Sequence, residues 1–341
     1  MEEKKVSPFF VAEISANHKQ SLPTAIRLVE LAAKSGADAV KFQTFLPQHM
    51  TPKRVAYSVS NEHSLWGGRN LYELYLEAQT PWEWHKELFD LANSLNLTAF
   101  SSPFCEESVE FLEQLNCPIY KVASLETGDR NLLRAIASSG KPVIASTGAS
   151  TLEELDSMVH LLQSLNVKDL TLLLCTSAYP ASPSEIHLSR MQFLKSRYSV
   201  PVGLSDHTKG IGVSIFASAL GATVIERHFI EFRSENSLDS EFSLEPDEFA
   251  LMVKSCREGL ESIGEPKWQI QDSEKSSREL RRSLYVVKDV KKGDRITIDN
   301  VRALRPNLGL AAERIDLLLG KTFSRNINAN SPLTSEDVHK L

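Results

Sequence analysis

The chain has 341 residues, a length that suits one large domain or a large domain with a small companion. Its hydrophobic content of 42% and charged content of 24% are those of an ordinary soluble globular protein. A net charge of −6 excludes a global basic field, and no apolar run approaches the roughly 18 residues of a membrane span, so we expect neither nucleic acid nor membrane as a partner.

Eight short apolar runs alternate with helical patterns from the start of the chain. The runs are FFVAEIS (9–15), AVKFQT (39–44), TAFSSP (98–103), IYKVAS (119–124), PVIAST (142–147), LTLLLCT (170–176), PVGLS (201–205) and TVIERHF (223–229). They are apolar throughout rather than alternating, which indicates strands buried on both faces and hence a parallel sheet. Eight strand–helix units over about 250 residues predict a (β/α)8 TIM barrel, with a doubly wound open sheet as the alternative.

Polar side chains end nearly every predicted strand. Active sites of (β/α)8 barrels lie at the C-terminal ends of the strands, so we expect these side chains to meet in one mouth. They are Glu13, Lys41, Ser102, Lys121, Ser124, Ser146, Thr147, Thr176, Ser205, His207 and His228. Each alone is compatible with an ordinary strand-end cap or a solvated lysine, but together they predict an active site.

Residues 46–80 form a long connection after the second predicted strand, and they are rich in aromatic side chains. At the active end of a barrel such a segment is typical of a substrate lid, with a packed decoration as the alternative. After the eighth helix, residues 266–281 are polar and charged and predict a linker. We therefore expect a barrel domain over 1–265 and a small β-rich domain over 282–341, too small to be robust alone.

The four cysteines, Cys105, Cys117, Cys175 and Cys256, form no Cys-x-x-Cys pair. Scattered thiols of this kind fit a reducing compartment better than a disulfide framework. The N-terminal segment is charged and lacks the apolar core of a signal peptide. We expect a cytoplasmic protein.

His207 and His228 follow neighbouring predicted strands, and two imidazoles there can hold one divalent ion with several positions left open. Such a set suits Mn²⁺, Fe²⁺, Co²⁺ or Mg²⁺ acting on a substrate oxygen, whereas a structural zinc site requires four ligands. A pair of structural histidines is the alternative. Asp206 and Glu226 are either partners that orient the ligands or ordinary salt-bridge acids.

Lys41 and Lys121, with the hydroxyl groups of the serines at the strand ends, predict a phosphate site. The alternative is a lysine that forms a Schiff base, as in a metal-free aldolase. Glu13 and Glu126 are the acids best placed for acid/base chemistry or for holding sugar hydroxyls, unless they form interior ion pairs with a lysine.

The chain resembles the sialic acid synthase family, also called the NeuB family, in a set of motifs that follow one another in the same order. These motifs are VAEISANH, AVKFQT, FSSPF, YKVAS, VIASTG, CTSAYP, GLSDHT and ERHF. The tail RRSLYVVKDVKKGDRIT…VRALRPN is similar to the SAF (antifreeze-like) domain of that family. Within the family, NLYELYLEAQTPWEWH, CTSAYPA and RRSLY are most similar to the pseudaminic acid synthases. Ser177 stands where neuraminate synthases have Asn, which counts against that branch.

The resemblance implies a transferase that condenses phosphoenolpyruvate with 2,4-diacetamido-2,4,6-trideoxy-L-altrose and water, giving a nine-carbon 2-keto acid and phosphate. Synthesis of N-acetylneuraminate or legionaminate is the alternative within the family, and a non-catalytic sugar-binding relative is the alternative outside enzymes. It further implies that His207 and His228 hold the metal, most simply Mn²⁺, with Mg²⁺ or Co²⁺ as other candidates.

The remaining implied roles fall into three groups. Phosphoenolpyruvate would be held by Lys41, Ser102, Lys121, Ser124, Ser146, Ser177 and Ser205. Glu13, Glu126, Tyr179 and Asp239 would face the sugar or the metal-bound water. The family pattern is a head-to-tail homodimer whose SAF domain caps the partner's barrel, so Arg305 would reach the neighbouring sugar.

Overall fold

The computed structural model describes residues 7–54, 57–59 and 65–339. Residues 55, 56 and 60–64, which belong to the predicted lid, lie outside the described residues. The chain divides into two compact units, Met1–Gly264 and Glu265–Leu341. In the described ranges we find no helix with the length and apolar character that crossing a membrane requires.

The first unit contains a closed barrel of eight parallel strands, in which β8 pairs with β1. The strands are β1 (Phe9–Glu13), β2 (Ala39–Thr44), β3 (Thr98–Pro103), β4 (Tyr120–Val122), β5 (Val143–Ser146), β6 (Leu170–Cys175), β7 (Val202–Asp206) and β8 (Val224–His228). The β8–β1 pairing closes the sheet and excludes the doubly wound alternative. The predicted (β/α)8 barrel is confirmed.

Helices follow the strands and bury one face against the barrel. They are α1 (Leu22–Lys34), α2 (Pro47–Met50), α3 (Leu71–Ala78), α4 (His85–Ser94), α5 (Glu106–Gln114), α6 (Arg130–Ser138), α7 (Leu152–Ser164), α8 (Pro183–Ile186), α9 (Arg190–Tyr198), α10 (Gly212–Ala219) and α11 (Pro246–Ile263). In α1 the buried residues Ala25, Leu28, Val29 and Ala32 recur at helical spacing. This one-sided burial explains why the helical patterns could be read from the sequence.

Alternation along β7 and β8 sends their polar side chains to two different places. Ser205 and Glu226 are hydrogen-bonded to each other at 2.9 Å, whereas Asp206 and Arg227 form a separate ion pair at 2.6 Å that is fully buried. Asp206 also accepts a hydrogen bond from Ser214 Oγ near the start of α10. Of the two acids that the sequence left open, Asp206 therefore belongs to a structural ion pair.

The second unit has its own small sheet and hydrophobic core. Its helices and strands are α12 (Lys275–Glu279), β9 (Ser283–Val286), β10 (Val301–Leu304), α13 (Ile315–Leu318) and β11 (Ser331–Pro332). The strands pair antiparallel in the order β10-β9-β11, around core residues that include Leu284, Val286 and Phe323. The predicted β-rich second domain is thus observed. The segment predicted as a linker, 266–281, falls in this unit and includes α12.

Candidate active site at the carboxyl ends of the barrel strands

Two buried lysines, on β2 and β4, share carboxylate partners. Lys41 Nζ lies 2.5 Å from Glu13 Oε2 and 3.8 Å from Glu226 Oε2. Lys121 Nζ lies 4.0 Å from Glu226 Oε1, so Glu226, here called the bridging glutamate, stands between the two ammonium groups. All four side chains are buried. Two cations and two anions therefore form one cluster that joins β1, β2, β4 and β8.

The two lysines differ in electrostatic environment. Burial disfavours a charged amine, but the carboxylates of Glu13 and Glu226 outweigh it and raise the pKa of Lys41. For Lys121 burial prevails and lowers the pKa, with the attraction of Glu226 opposing it and the like charge of Lys41 adding to it. Burial acts to raise the pKa of Glu226, yet Lys121 and Lys41 hold it below its ordinary range. The cluster suits an anion that competes for the ammonium groups.

Serine hydroxyl groups accompany three of the four charged side chains of this cluster. Lys41 Nζ donates to Ser102 Oγ at 3.3 Å, and Lys121 Nζ donates to Ser146 Oγ at 2.6 Å. Ser205 Oγ donates to the bridging glutamate at 2.9 Å. The structure thus brings together five of the seven side chains expected to bind phosphoenolpyruvate.

The other two expected serines, Ser124 and Ser177, meet at the thiol of Cys175. Ser124 Oγ lies 3.5 Å and Ser177 Oγ 4.0 Å from Cys175 Sγ. Ser124 begins a short 3-10 helix two residues after Val122, the last residue of β4. A Cβ atom on Gly148 would lie only 2.3 Å from Ser177 Oγ and 2.8 Å from Ser124 Oγ, so a larger residue there would displace these hydroxyls.

His207 and His228 lie side by side, with ring centroids 5.3 Å apart. His207 Nδ1 is 3.1 Å from the carbonyl oxygen of Thr176, a contact that fixes this nitrogen as a donor and directs Nε2 elsewhere. His228 Nδ1 lies 3.5 Å from Asp239 Oδ2 and, within the residues that the structure describes, is a buried nitrogen without a hydrogen-bond partner. One backbone-oriented imidazole beside an unsatisfied one fits a bound divalent cation.

Aromatic rings enclose the histidine pair. Tyr179 packs on His207 with centroids 4.5 Å apart, and Phe242 lies 4.7 Å from His228. Burial opposes a charge on His207, but the neighbouring Cys175 thiolate outweighs this effect and raises the pKa of His207. The structure therefore places Tyr179 and Asp239, two of the expected sugar-facing residues, against the two imidazoles.

A cavity of about 320 Å³ opens above these groups. Its polar lining includes Ser15, Gln43, Ser124, Glu126, Tyr179, His228 and Asp239. Burial raises the pKa of Glu126 to about 7, against the opposing charge of Lys121. The described part of segment 46–80 forms α2 and α3 and contributes cavity-lining residues such as Leu71, so this segment borders the site.

Arg305 lies in the second unit, one residue after β10, with an exposed side chain. It is the one expected site residue outside the barrel unit. Its role therefore stays a prediction, as do the boundaries of the predicted domains.

Three polar residues of the site had no part in the sequence prediction. Gln43 donates to Glu13 at 3.2 Å and to Ser15 at 2.9 Å, and Cys175 lies 3.9 Å from His207 Nδ1. Gln43 is two residues beyond Lys41, and Ser15 is two beyond Glu13. Strand alternation places such pairs on one side, so counting by two from each expected residue would have found them.

A second donor set lies apart from the histidine pair. A ring nitrogen of His49, Cys105 Sγ and a Glu107 carboxylate oxygen lie within 4.8 Å of one another, and across the described ranges no other group of three or more such donors is this close. His49 Nδ1 also accepts a hydrogen bond from Leu46 N–H at 3.2 Å. One nitrogen of the ring thus has a backbone partner, and we assign no ion to the set.

Residues 28–267 match the profile of the NeuB family, and residues 281–339 match that of the SAF domain. The chain is 42% identical over 334 residues to the pseudaminic acid synthase of Helicobacter pylori, covering 98% of each chain. It is 36% identical to the N,N'-diacetyllegionaminic acid synthase of Campylobacter jejuni, covering 93% of this chain and 96% of that one.

Among solved structures, the N-acetylneuraminic acid synthetase of Leptospira borgpetersenii, determined with citrate, superposes with a TM-score of 0.71 at 30% identity. The superposition covers 80% of this chain and 90% of that chain.

Proposed function

The chain belongs to the NeuB family, and on that premise we propose that it is a pseudaminic acid synthase. The membership in the NeuB family and the SAF domain, both predicted from the sequence motifs, are confirmed by these matches. The identity of 42% to a pseudaminic acid synthase exceeds the 36% to a legionaminic acid synthase, which supports the choice of sugar. The enzyme would be a transferase of the cytoplasm.

The proposed reaction joins phosphoenolpyruvate to 2,4-diacetamido-2,4,6-trideoxy-L-altrose. C3 of phosphoenolpyruvate forms a bond with the aldehyde carbon, water adds at C2, and the bond between C2 and the phosphate oxygen breaks. The water gives up both of its protons as its oxygen becomes the keto oxygen at C2. One balances the proton that the aldehyde oxygen gains, and the other leaves with the departing phosphate. The observation that carries this chemistry is the pair of buried ammonium groups, Lys41 and Lys121, set among serine hydroxyls in the barrel that also carries the histidine pair.

Lys41, Lys121 and their serines would hold the phosphate and carboxylate of phosphoenolpyruvate, because ammonium and hydroxyl donors suit both anions. We propose that His207 and His228 hold a divalent cation, Mn²⁺ or else Mg²⁺ or Co²⁺. When bound, it supplies a Lewis acid that polarises the aldehyde oxygen. Tyr179 and Asp239, which contact the imidazoles, would then position the sugar.

Phosphate release from phosphoenolpyruvate tests this function directly. The sugars to compare are 2,4-diacetamido-2,4,6-trideoxy-L-altrose, N-acetylmannosamine and the diacetamido-trideoxymannose that leads to legionaminate. We expect rapid release with the altrose derivative and a nine-carbon keto acid as product. Faster release with either other sugar would reassign the branch, and binding without release would favour the non-catalytic alternative.

Glu126 is proposed to protonate the aldehyde oxygen. Burial raises its pKa to about 7, so the protonated form predominates below that pH and the rate it supports falls as the pH rises through it. We expect kcat/KM of the wild type to decline above about pH 7 and the Glu126→Gln variant to be slower and lack this decline. Steady-state profiles against pH measure it, with the exposed Glu110→Gln as control. An unchanged decline in Glu126→Gln would exclude this role.

We propose a homodimer in which Arg305 completes the partner's site, and subunit complementation tests it. An Arg305→Ala chain keeps an intact barrel, and a Lys121→Met chain keeps an intact Arg305, so each alone should be poorly active. Mixing them with exchange of subunits should restore activity to roughly a quarter of the sites, because half of the dimers are mixed and each has one complete site. Arg302→Ala, also exposed, is the matched control. A mixture no more active than its parts would refute the shared site.

A further inference from the structure

One side of the active-site cavity is apolar. Its apolar lining comes mainly from α2, α3 and the residues that directly follow β2 and β3. These residues include Phe45, Met50, Leu71, Leu74, Ala78 and Phe104. The cavity thus joins a polar floor to an apolar wall.

The wall is built on a regular helix. Leu71, Leu74, Tyr75 and Ala78 all line the cavity, and their spacing of three, four and seven residues places them on a single face of α3. Leu76, on the opposite face, is 50% exposed. The cavity side of α3 is therefore distinct from its solvent side.

The helix is fixed at both ends, so its face is preformed. Asn70 caps the N-terminus by accepting hydrogen bonds from the N–H groups of Tyr72 and Glu73. At the C-terminus Gln20 Nε2 donates to the carbonyl oxygen of Glu77 at 2.9 Å. Tyr75 packs edge-on against Phe45, with centroids 5.7 Å apart. A wall held in this way can discriminate between ligands by shape and polarity.

The chemistry of condensation orients the sugar in this cavity. Its aldehyde carbon has to meet C3 of phosphoenolpyruvate, near the lysines and His228 at the barrel strands. The open chain then extends outward, so its far end, C6, points away from the strands and toward the segments that include α3. On the proposed function this end carries a methyl group at C6, and each acetamido group ends in another methyl.

We propose that the cavity side of α3 is a specificity-determining apolar subsite for the methyl-bearing end of the sugar, an inference that rests on the proposed function. It selects 6-deoxy, N-acylated aldoses because their methyl groups are buried against the wall. A hydroxyl at C6 would lose its hydrating water against this wall, which costs free energy unless a new hydrogen bond replaces it. Among the described α3 residues that line the cavity, only Tyr75 has a polar group. Discrimination of this kind is worth roughly 10- to 200-fold per group.

Leu71→Asn tests the subsite, with Leu76→Asn on the solvent side of the same helix as the matched control. We expect Leu71→Asn to lower kcat/KM for the diacetamido-trideoxy altrose by roughly 10- to 100-fold, mainly through KM, and to leave the KM for phosphoenolpyruvate unchanged. Its activity with N-acetylmannosamine should fall less or rise, so the ratio between the sugars shrinks. Leu76→Asn should keep the wild-type ratio.

Equal sugar ratios in the two variants would overturn the subsite. Ala78→Ser, a smaller change on the same face, provides the same comparison if Leu71→Asn fails to fold. If the wild type turns over another aldose instead, the proposed function is wrong, and the 6-deoxy and 6-hydroxy forms of that aldose then test the subsite. A preference for the 6-deoxy form that Leu71→Asn removes would support it, and no preference would refute it.

Discussion

Replacing His207 or His228 by alanine is expected to lower kcat/KM by about 1,000-fold, because a Lewis acid on the aldehyde supplies several kcal/mol of charge stabilisation. The rings lie 5.3 Å apart, so each variant removes one of two donors from the same place. Phosphate release measures the rate, and circular dichroism and thermal unfolding measure retention of the fold. His160→Ala, an exposed histidine on α7, is the control.

Removal of divalent metal with a chelator should have the same effect on the wild type, and Mn²⁺ should restore the rate. The competing mechanism is a Schiff base on a lysine, for which the lowered pKa of Lys121 is a suitable property. That mechanism predicts full activity in chelator and covalent trapping of pyruvate by borohydride on Lys121 or Lys41. Either result, or wild-type turnover in the histidine variants, would contradict metal-assisted condensation.

Lys41→Met is expected to damage both stability and catalysis. The side chain pairs with Glu13 at 2.5 Å and with Glu226 at 3.8 Å, and its loss leaves buried carboxylates short of a cation. Breaking a buried pair from one side lowers the free energy of unfolding by roughly 3–5 kcal/mol. The KM for phosphoenolpyruvate should also rise by roughly 100-fold, since about 3 kcal/mol of charged contact is lost. Urea unfolding and steady-state kinetics measure the two effects.

The double variant Lys41→Met/Glu13→Gln separates these roles. Removing the carboxylate charge together with its cation should recover most of the stability, whereas turnover should stay low because the anion site still lacks an ammonium group. Lys86→Met, which removes a solvent-exposed pair with Asp90, should change neither quantity appreciably. A single variant with wild-type stability and an unchanged KM would show that Lys41 neither balances the carboxylates nor binds the substrate.

The barrel could be predicted from the sequence because its signal is local. Each strand is a short apolar run, each helix buries one face, and the count of units leaves few architectures. The polar site residues at the strand ends could be predicted from the same pattern, since residues such as Lys41 and His228 interrupt or end the apolar runs. These features depend only on neighbours along the chain.

The contacts within the site could not be predicted in this way. Glu226 and Asp206 looked equivalent in the sequence, yet one bridges two lysines and the other pairs with Arg227. The reason is the register of β7 and β8, which sets Glu226 beside Ser205 and Asp206 beside Arg227. The proximity of Cys175 to His207 depends on the pairing of β6 with β7. The apolar wall depends on where α3 packs, and residues 46–80 gave only a long aromatic-rich segment.

The bridging glutamate has a consequence for how the enzyme meets its substrates. Glu13 and Glu226 lie opposite Lys41 and Lys121, so the charges of these four side chains balance, and the fold does not have to hold two like charges together without counterions. An arriving trianion finds no surplus of positive charge and must compete for ammonium groups that are already engaged. Tight binding of the trianion then requires that a further cation or a proton binds together with it. Binding at the two lysines is therefore linked to the ionic composition of the medium.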